Sequence, residues 1–359
     1  MRKNNVIFLS ALVLMTFFLS NCKKDNFDHS NISGFQIKGW KIDSIGFAYK
    51  WISPTDADFL NRKTGYILGT NGVLLKTTDS SISWEYSYIE KDSTGVMTSA
   101  LSFINDSTGF IYGRWNVLNG DYYGVLYKTV DGGSHWTKHY YNNAYHLYSM
   151  KFFDKNNGIA LNWINSGSYI VTTNNGGSSW EVADLDLDPS QNRLFFSGDI
   201  CFATGKDQKI FKSVDHGKTW ITIQTPINSS STYIGGFYFI NENIGFLNKG
   251  NDRYKTTDGG INWNKTSLSF PSFRTPSSPF ESFHFCNSNE GIIIHDSIAY
   301  IGGDFPSFIG TYTYTTTDSG KSWIKSDLQK QLSLGLIIFV SDSFAYCISY
   351  KNIYRLQKK

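Results

Sequence analysis

The stretch KTTDGGINW, from Lys255 to Trp263, returns in six versions along this chain of 359 residues. The copies start at Lys76, Lys128, Thr172, Lys212, Lys255 and Thr315, and follow Ser/Thr-x-Asp-x-Gly-x-x-Trp with one departure each in the first and third. A motif that repeats every few tens of residues commits a chain to repeat architecture, in which each copy belongs to one supersecondary unit. No copy has more than one acid, so it is a turn and not a calcium loop, which needs several oxygen ligands. The acid is Asp79, Asp131, Asp215, Asp258 or Asp318, with Asn175 standing in for it in the third copy. A carboxylate there accepts hydrogen bonds from the N–H groups of its own turn, and an amide oxygen mimics it. The glycine (Gly133, Gly177, Gly217, Gly260, Gly320) supplies positive φ. Ser81 replaces it in the first copy, so that turn is expected to be strained or differently shaped. The tryptophan (Trp84, Trp136, Trp180, Trp220, Trp263, Trp323) opens the next strand and buries its ring between sheets.

The flanks repeat as well. An apolar strand ending in Phe, a polar turn, a Gly and a second strand precede each box, as in FINDSTGFIYG from Phe103 and FFDKNNGIALN from Phe152. A third strand leads into the box and a fourth, such as WITIQT from Trp220, follows it. Four short strands per repeat describe a β-propeller blade. The composition agrees: 16% aromatic residues, 32 Gly and only 7 Pro suit short strands and tight turns. Trp40 opens WKIDSI, a fourth strand with no first three before it, while residues 336–356 offer three strands and no box. The two ends complete one another, which gives an all-β fold of seven four-stranded blades. The spacings between successive strand-opening tryptophans, 44, 52, 44, 40, 43 and 60, place insertions in blades two and six. The motif resembles the Asp-box, or BNR repeat.

The N-terminus reads as a targeting device. Arg2 and Lys3 precede an apolar run from Val6 to Leu19. At about 14 residues that run is shorter than the roughly 20 a spanning helix needs. Leu19-Ser20-Asn21-Cys22 resembles a bacterial lipobox, with Asn21 in place of the usual small residue. The expected layout is a signal peptide over 1–21, a polar tether over 22–34 with lipid on Cys22, and the propeller over 35–359. That makes the protein an outer-membrane lipoprotein of a bacterial envelope, periplasmic or surface-facing. The remaining cysteines, Cys201, Cys286 and Cys347, sit in apolar runs and are expected to be buried free thiols.

Seven blades with a KTxDGGxxW frame resemble the photosystem II stability/assembly factor family of propellers over roughly residues 35–357. That resemblance implies a scaffold binding immature protein subunits rather than an enzyme. The same box occurs in sialidases, endoglucanases and sortilin-type receptors, so function has to come from a site. The seven arginines are scattered, which departs from the arginine-rich patch of cyanobacterial members. Candidate binding residues lie at the end opposite the boxes: Trp51, Arg114, Trp115, Tyr122, Tyr123, Trp163, Arg253 and Asp304. Trp115 and Trp163 are read as matching positions in adjacent blades. A hydrolase would need two carboxylates across a cleft, with Asp121 and Asp304 to inspect first, and a long loop of blade six carries Asp296 beside Asp304. The seven histidines have no metal-ligand spacing. The formal charge of +3, without a dense Lys/Arg cluster, points away from nucleic acid. No cofactor is expected, the partner is expected to be a protein, and a glycan is the alternative ligand.

Overall fold

The computed structural model describes residues 37–44, 53–90, 96–116, 122–141, 146–164, 167–188, 194–226, 234–249, 252–266, 282–300, 306–327, 329–330, 336–348 and 353–359. These lie in one compact unit, Gln36–Lys359. Strand β1 (Trp40–Ser44) comes first in the chain. Blade one follows with β2 (Pro54–Phe59), β3 (Gly65–Gly69), β4 (Val73–Thr77) and β5 (Glu85–Tyr88). Blade two is β6 (Val96–Phe103), β7 (Gly109–Asn116), β8 (Tyr122–Thr129) and β9 (Thr137–Tyr141). Blade three is β10 (Leu147–Phe152), β11 (Gly158–Ile164), β12 (Gly167–Thr173) and β13 (Glu181–Val182). Blade four is β14 (Leu194–Ser197), β15 (Ile200–Thr204), β16 (Ile210–Ser213) and β17 (Ile221–Ile223). Blade five is β18 (Ile234–Phe239), β19 (Gly245–Lys249), β20 (Asp252–Thr256) and β21 (Asn264–Lys265). Blade six is β22 (Ser282–Phe285), β23 (Gly291–Tyr300), β24 (Pro306–Thr316) and β25 (Ile324–Lys325), with β26 (Gln329–Lys330) also paired to β24. Blade seven is β27 (Leu336–Ser341), β28 (Phe344–Ile348) and β29 (Ile353–Lys358).

The described strands fall into seven antiparallel sheets, and the last has the order β1-β29-β28-β27. The N-terminal strand therefore completes the blade built from the C-terminus, with Trp40 opposite Lys358 and Ser44 opposite Tyr354. Arg355 reinforces the join through an ion pair to Asp43 at 3.3 Å. The long spacing in blade six comes from a hairpin of 10- and 11-residue strands, β23 and β24.

Five blades share one packing unit. The Phe ending the first strand lies over the Gly opening the second: Phe59 on Gly65, Phe103 on Gly109, Phe152 on Gly158, Phe239 on Gly245 and Phe285 on Gly291. A Cβ on any of these glycines would come within 2.1–2.8 Å of the ring, so no side chain fits there. The other ring face stacks on an aromatic of the preceding blade, at 3.5 Å for Phe103 on Tyr66 and for Phe152 on Phe110. The ring also meets its own box tryptophan edge to face, at 6.3 Å for Phe103 and Trp136. Blade-to-blade cohesion is thus a ladder of rings on bare backbone.

Blade four departs from the repeating frame. Its first two strands join through Gly198-Asp199, with Ser197 paired to Ile200, so the Phe-over-Gly unit is missing. Cys201 and Cys347 are buried free thiols, whereas Cys286 is only partly buried, in the turn after β22, beside the Glu290 carbonyl.

Candidate functional site

The box turns come first, because they decide which end of the ring is free for function. In every copy the Ser/Thr hydroxyl donates to the acid or amide two residues on and accepts from the N–H four residues on. Thr129 gives 2.8 Å to Asp131 and receives 2.9 Å from Gly133 N, and Ser213 with Asp215 and Gly217 repeats this. The acid then accepts the N–H four residues beyond itself, as Asp258 does from Asn262 at 2.9 Å. Asn175 does the same with its amide oxygen, and its amide nitrogen donates to Ser179 Oγ. Two consecutive positive φ values shape each turn, and the first copy adopts them with Ser80 and Ser81, both at 65°. That turn keeps its shape and its bonds, and only the strain of two non-glycine residues at positive φ remains. In the fourth copy His216 takes the first of these positions at 65° and stacks on Phe153 of the preceding blade, 4.0 Å between centroids.

These bonds use up the box acids. Asp258 is held to about 2, first by the Asn262 N–H and then by its side chain. Such groups are anchored anions rather than proton carriers. The turns between first and second strands share this end of the ring, as the bond from Gly132 N to Ser107 O shows.

At the opposite end, side chains of blades two and three converge. Arg114 on β7 lies opposite Met97, and Trp163 on β11 opposite Ser168. The Trp163 N–H donates to the His146 carbonyl at 3.1 Å, while the His146 N–H donates to Oδ1 of the fully buried Asn162 at 2.7 Å. The imidazole of His146 sits 5.8 Å from the Trp163 ring and 5.9 Å from that of Tyr148. Burial, and then the neighbouring Arg114 cation, push His146 down to about 4, so it is neutral at physiological pH. Trp163 is 40% exposed and Met97, opposite Arg114, 46%. Tyr123, 38% exposed, pairs with Trp115 and stands on the other face of blade two.

The other sequence-derived candidates sort unevenly. Trp115 is not the counterpart of Trp163. It stands six residues after Gly109, whereas Trp163 stands five after Gly158. Side chains alternate across a strand, so this one-residue offset turns the two indoles to opposite faces. Trp115 packs against the core between blades one and two, and Arg114 holds the position that matches Trp163. Arg253 is buried at 4% exposure on β20 and offers no surface. Tyr122 pairs with Asn116 in the β7–β8 hairpin and Asp296 with Thr311 in β23–β24, and their side chains lie outside the described set. Trp51, Asp121, Asp304 and Cys22 fall outside the described residues. Among the described residues no group of three His, Cys, Asp or Glu side chains is placed to hold a metal ion.

Residues 34–144 match the family model for the photosystem II assembly factor Ycf48, a span that holds β1, blades one and two, and Arg114. The likeness is to Ycf48. A Ycf48 photosystem II assembly lipoprotein of Prochlorococcus marinus (strain NATL2A) is 27% identical over 92 residues, covering 26% of this chain and 25% of that protein. The match thus spans about a quarter of the curated relative. Among solved structures, YCF48 bound to a D1 peptide superposes with a TM-score of 0.64 at 16% identity, over 90% of this chain and 98% of that one. YCF48 from Cyanidioschyzon merolae gives 0.64 at 15%, over 89% and 99%. At these identities the structures speak for the Ycf48-like fold.

Two features escaped sequence reasoning. His146 was not singled out, although it directly precedes the first strand of blade three, and counting from Gly109 and Gly158 would have paired Arg114 with Trp163. A groove of about 650 Å³ with a mixed lining also runs at the box end between blades three and four, among Glu181, Val182, Leu185, His216, Lys218 and Trp220.

Proposed function

We propose that this chain is a non-catalytic scaffold that docks a protein partner at the end opposite the Asp-boxes. The observation that carries the reading is the convergence of Arg114, His146 and Trp163 from two adjacent blades. A guanidinium beside a neutral imidazole and an exposed indole is the composition of a protein-binding hot spot, where Trp, Tyr and Arg dominate. The family description as an assembly factor and the solved YCF48–D1 peptide complex support a protein ligand. A lipid on Cys22 and a place in the bacterial envelope complete the proposal, and the Prochlorococcus relative is itself named a lipoprotein.

The test uses the chain from Lys23 onward as bait in envelope extract, beside Arg114→Ala and Trp163→Ala variants. A protein held by the wild type is then purified and titrated. Each substitution is expected to weaken binding by about tenfold, the effect of a hot-spot residue worth roughly 1.4 kcal/mol. A partner that binds the double variant as tightly as the wild type would remove the face from the proposal. Intact-mass measurement of the mature chain checks the lipid on Cys22.

A further inference from the structure

The first strands of neighbouring blades approach one another around the axis of the ring, and side chains bridge these inner seams. The residue just before the strand-ending Phe is the recurring bridge. Ser102 Oγ accepts from Phe152 N at 2.9 Å, and Tyr238 donates to the Phe285 carbonyl at 3.4 Å. Lys151 donates to the Gly198 carbonyl, and in blade four, which lacks that Phe, the strand-ending Ser197 donates to the carbonyl of Ile240 at 2.9 Å. The seam between blades one and two is built differently. Asp58 Oδ2 accepts from Phe103 N at 2.8 Å, and two residues earlier Asp56 Oδ2 accepts from Leu101 N at 2.8 Å. Among the described residues, this is the inner seam bridged by carboxylates.

We infer that Asp56 and Asp58 make the seam between blades one and two a proton-operated latch, firm while the pair holds a proton and loosened when both carboxylates are charged. Two residues apart on one strand, both point the same way across the seam. Asp56 and Asp58 are half-buried; desolvation lifts Asp56 to about 7, against the hydrogen bonds from Leu101 and Ala57, and the charge of Asp58 adds to the lift. Burial raises Asp58 as well, opposed by the Phe103 N–H and by the Lys151 cation on β10. The other titrating group that feels the pair is Tyr66 on β3, whose own ionisation burial and nearby carboxylates push up to about 12. From β6 only backbone N–H groups face the carboxylates. With native values above the ordinary 3.8, the folded chain binds more protons than the unfolded one between about pH 4 and 7. The contribution of the pair is fully present below pH 4 and is lost as pH rises through 7. Strand β6 also carries Met97 opposite Arg114, so the latch governs how firmly the blade-two half of the candidate face is held. The inference stands whether or not that face binds a partner.

Hydrogen exchange on the full chain tests it, read as protection factors at Leu101, Phe103 and Phe152 from pH 5 to 8. Protection at Leu101 and Phe103 is expected to fall about tenfold from pH 5 to 6 and to level off above pH 7, while Phe152, bridged by Ser102, stays level. Asp56→Asn keeps an oxygen for the Leu101 N–H but cannot titrate, so its profile is expected to be shallower than that of the wild type, with only Asp58 left to titrate. The proposal is overturned if wild type and Asp56→Asn share one pH profile. It is equally overturned if Phe152 loses protection in step with Leu101. A thermal melt of both proteins at each pH confirms that the variant is folded.

Discussion

Asn175 is an isosteric substitution already made by the chain. It keeps the acceptor oxygen, loses the charge, and its turn has the same bonds from Thr173 and Ser179 as the acidic copies have from their neighbours. The box residue therefore works as a hydrogen-bond acceptor first and as an anion second. Asp258→Asn is accordingly expected to leave the urea midpoint at pH 7 nearly unchanged, while Asp258→Ala lowers it by orphaning the N–H of Asn262 and the hydroxyl of Thr256. The pH dependence separates the two properties. The value of Asp258 is depressed to about 2, below the ordinary 3.8. Its contribution is present above pH 4 and lost as pH falls through 2, opposite in sign to the latch at Asp56. Acid unfolding curves should show Asp258→Asn losing less between pH 4 and 2 than the wild type, and identical curves would sink the account. Sequence alone made these acceptors legible, because turn chemistry is local. It did not settle Ser81, where the neighbours hold a serine at φ 65° in a turn that glycine usually serves.

At the scale of the element, the Phe-over-Gly unit explains why the frame recurs before five of the six boxes. The glycine is demanded by a ring pressed against its Cα and not by its φ. Gly109→Ala would place a Cβ 2.5 Å from the Phe103 ring, which Tyr66 backs at 3.5 Å. The ring has nowhere to retreat, so a loss of about 2–3 kcal/mol is expected, as in overpacked cores. Chemical denaturation of Gly109→Ala, Phe103→Leu and the double variant checks the mechanism. The double variant should lose less than the sum of the singles, and strict additivity would mean the two positions do not collide. Most strands were readable from this frame and from period-two alternation. Two things were not. The two-residue connection at Gly198-Asp199 dispenses with the frame, and without the Phe and Gly nothing in the sequence marks how blade four meets its neighbour. Register shifts between Thr98 and Ala100 in β6, and between Tyr148 and Lys151 in β10, reset which side chains share a row.

For the whole molecule, the decisive step is closure. Seven blades followed from six boxes and the orphan strand at Trp40, since a lone fourth strand and three boxless strands each leave an edge that the other can cover. The candidate site was less legible, because it is made where blades meet, and the distance between Arg114 and His146 depends on blade packing and not on any repeat. Closure also rests on a small contact. Trp40 is buried at 7% exposure and touches Phe339 with 5.6 Å between ring centroids, and β1 contributes five paired residues to β29. Trp40→Ala is expected to cost about 3 kcal/mol, as large-to-small changes of buried aromatics do. A chain beginning at residue 45 should lose more than that, because it also uncovers the backbone edge of Ile353–Lys358. The uncovered edge is then free to pair with another copy, so light scattering should find dimers and larger species. A synthetic peptide of residues 36–44, added in excess, should return the shortened chain to monomer and raise its melting temperature. If the shortened chain stays monomeric and melts like the full one, the N-terminal strand is an ornament on blade seven and the ring is closed by the cores of its blades alone.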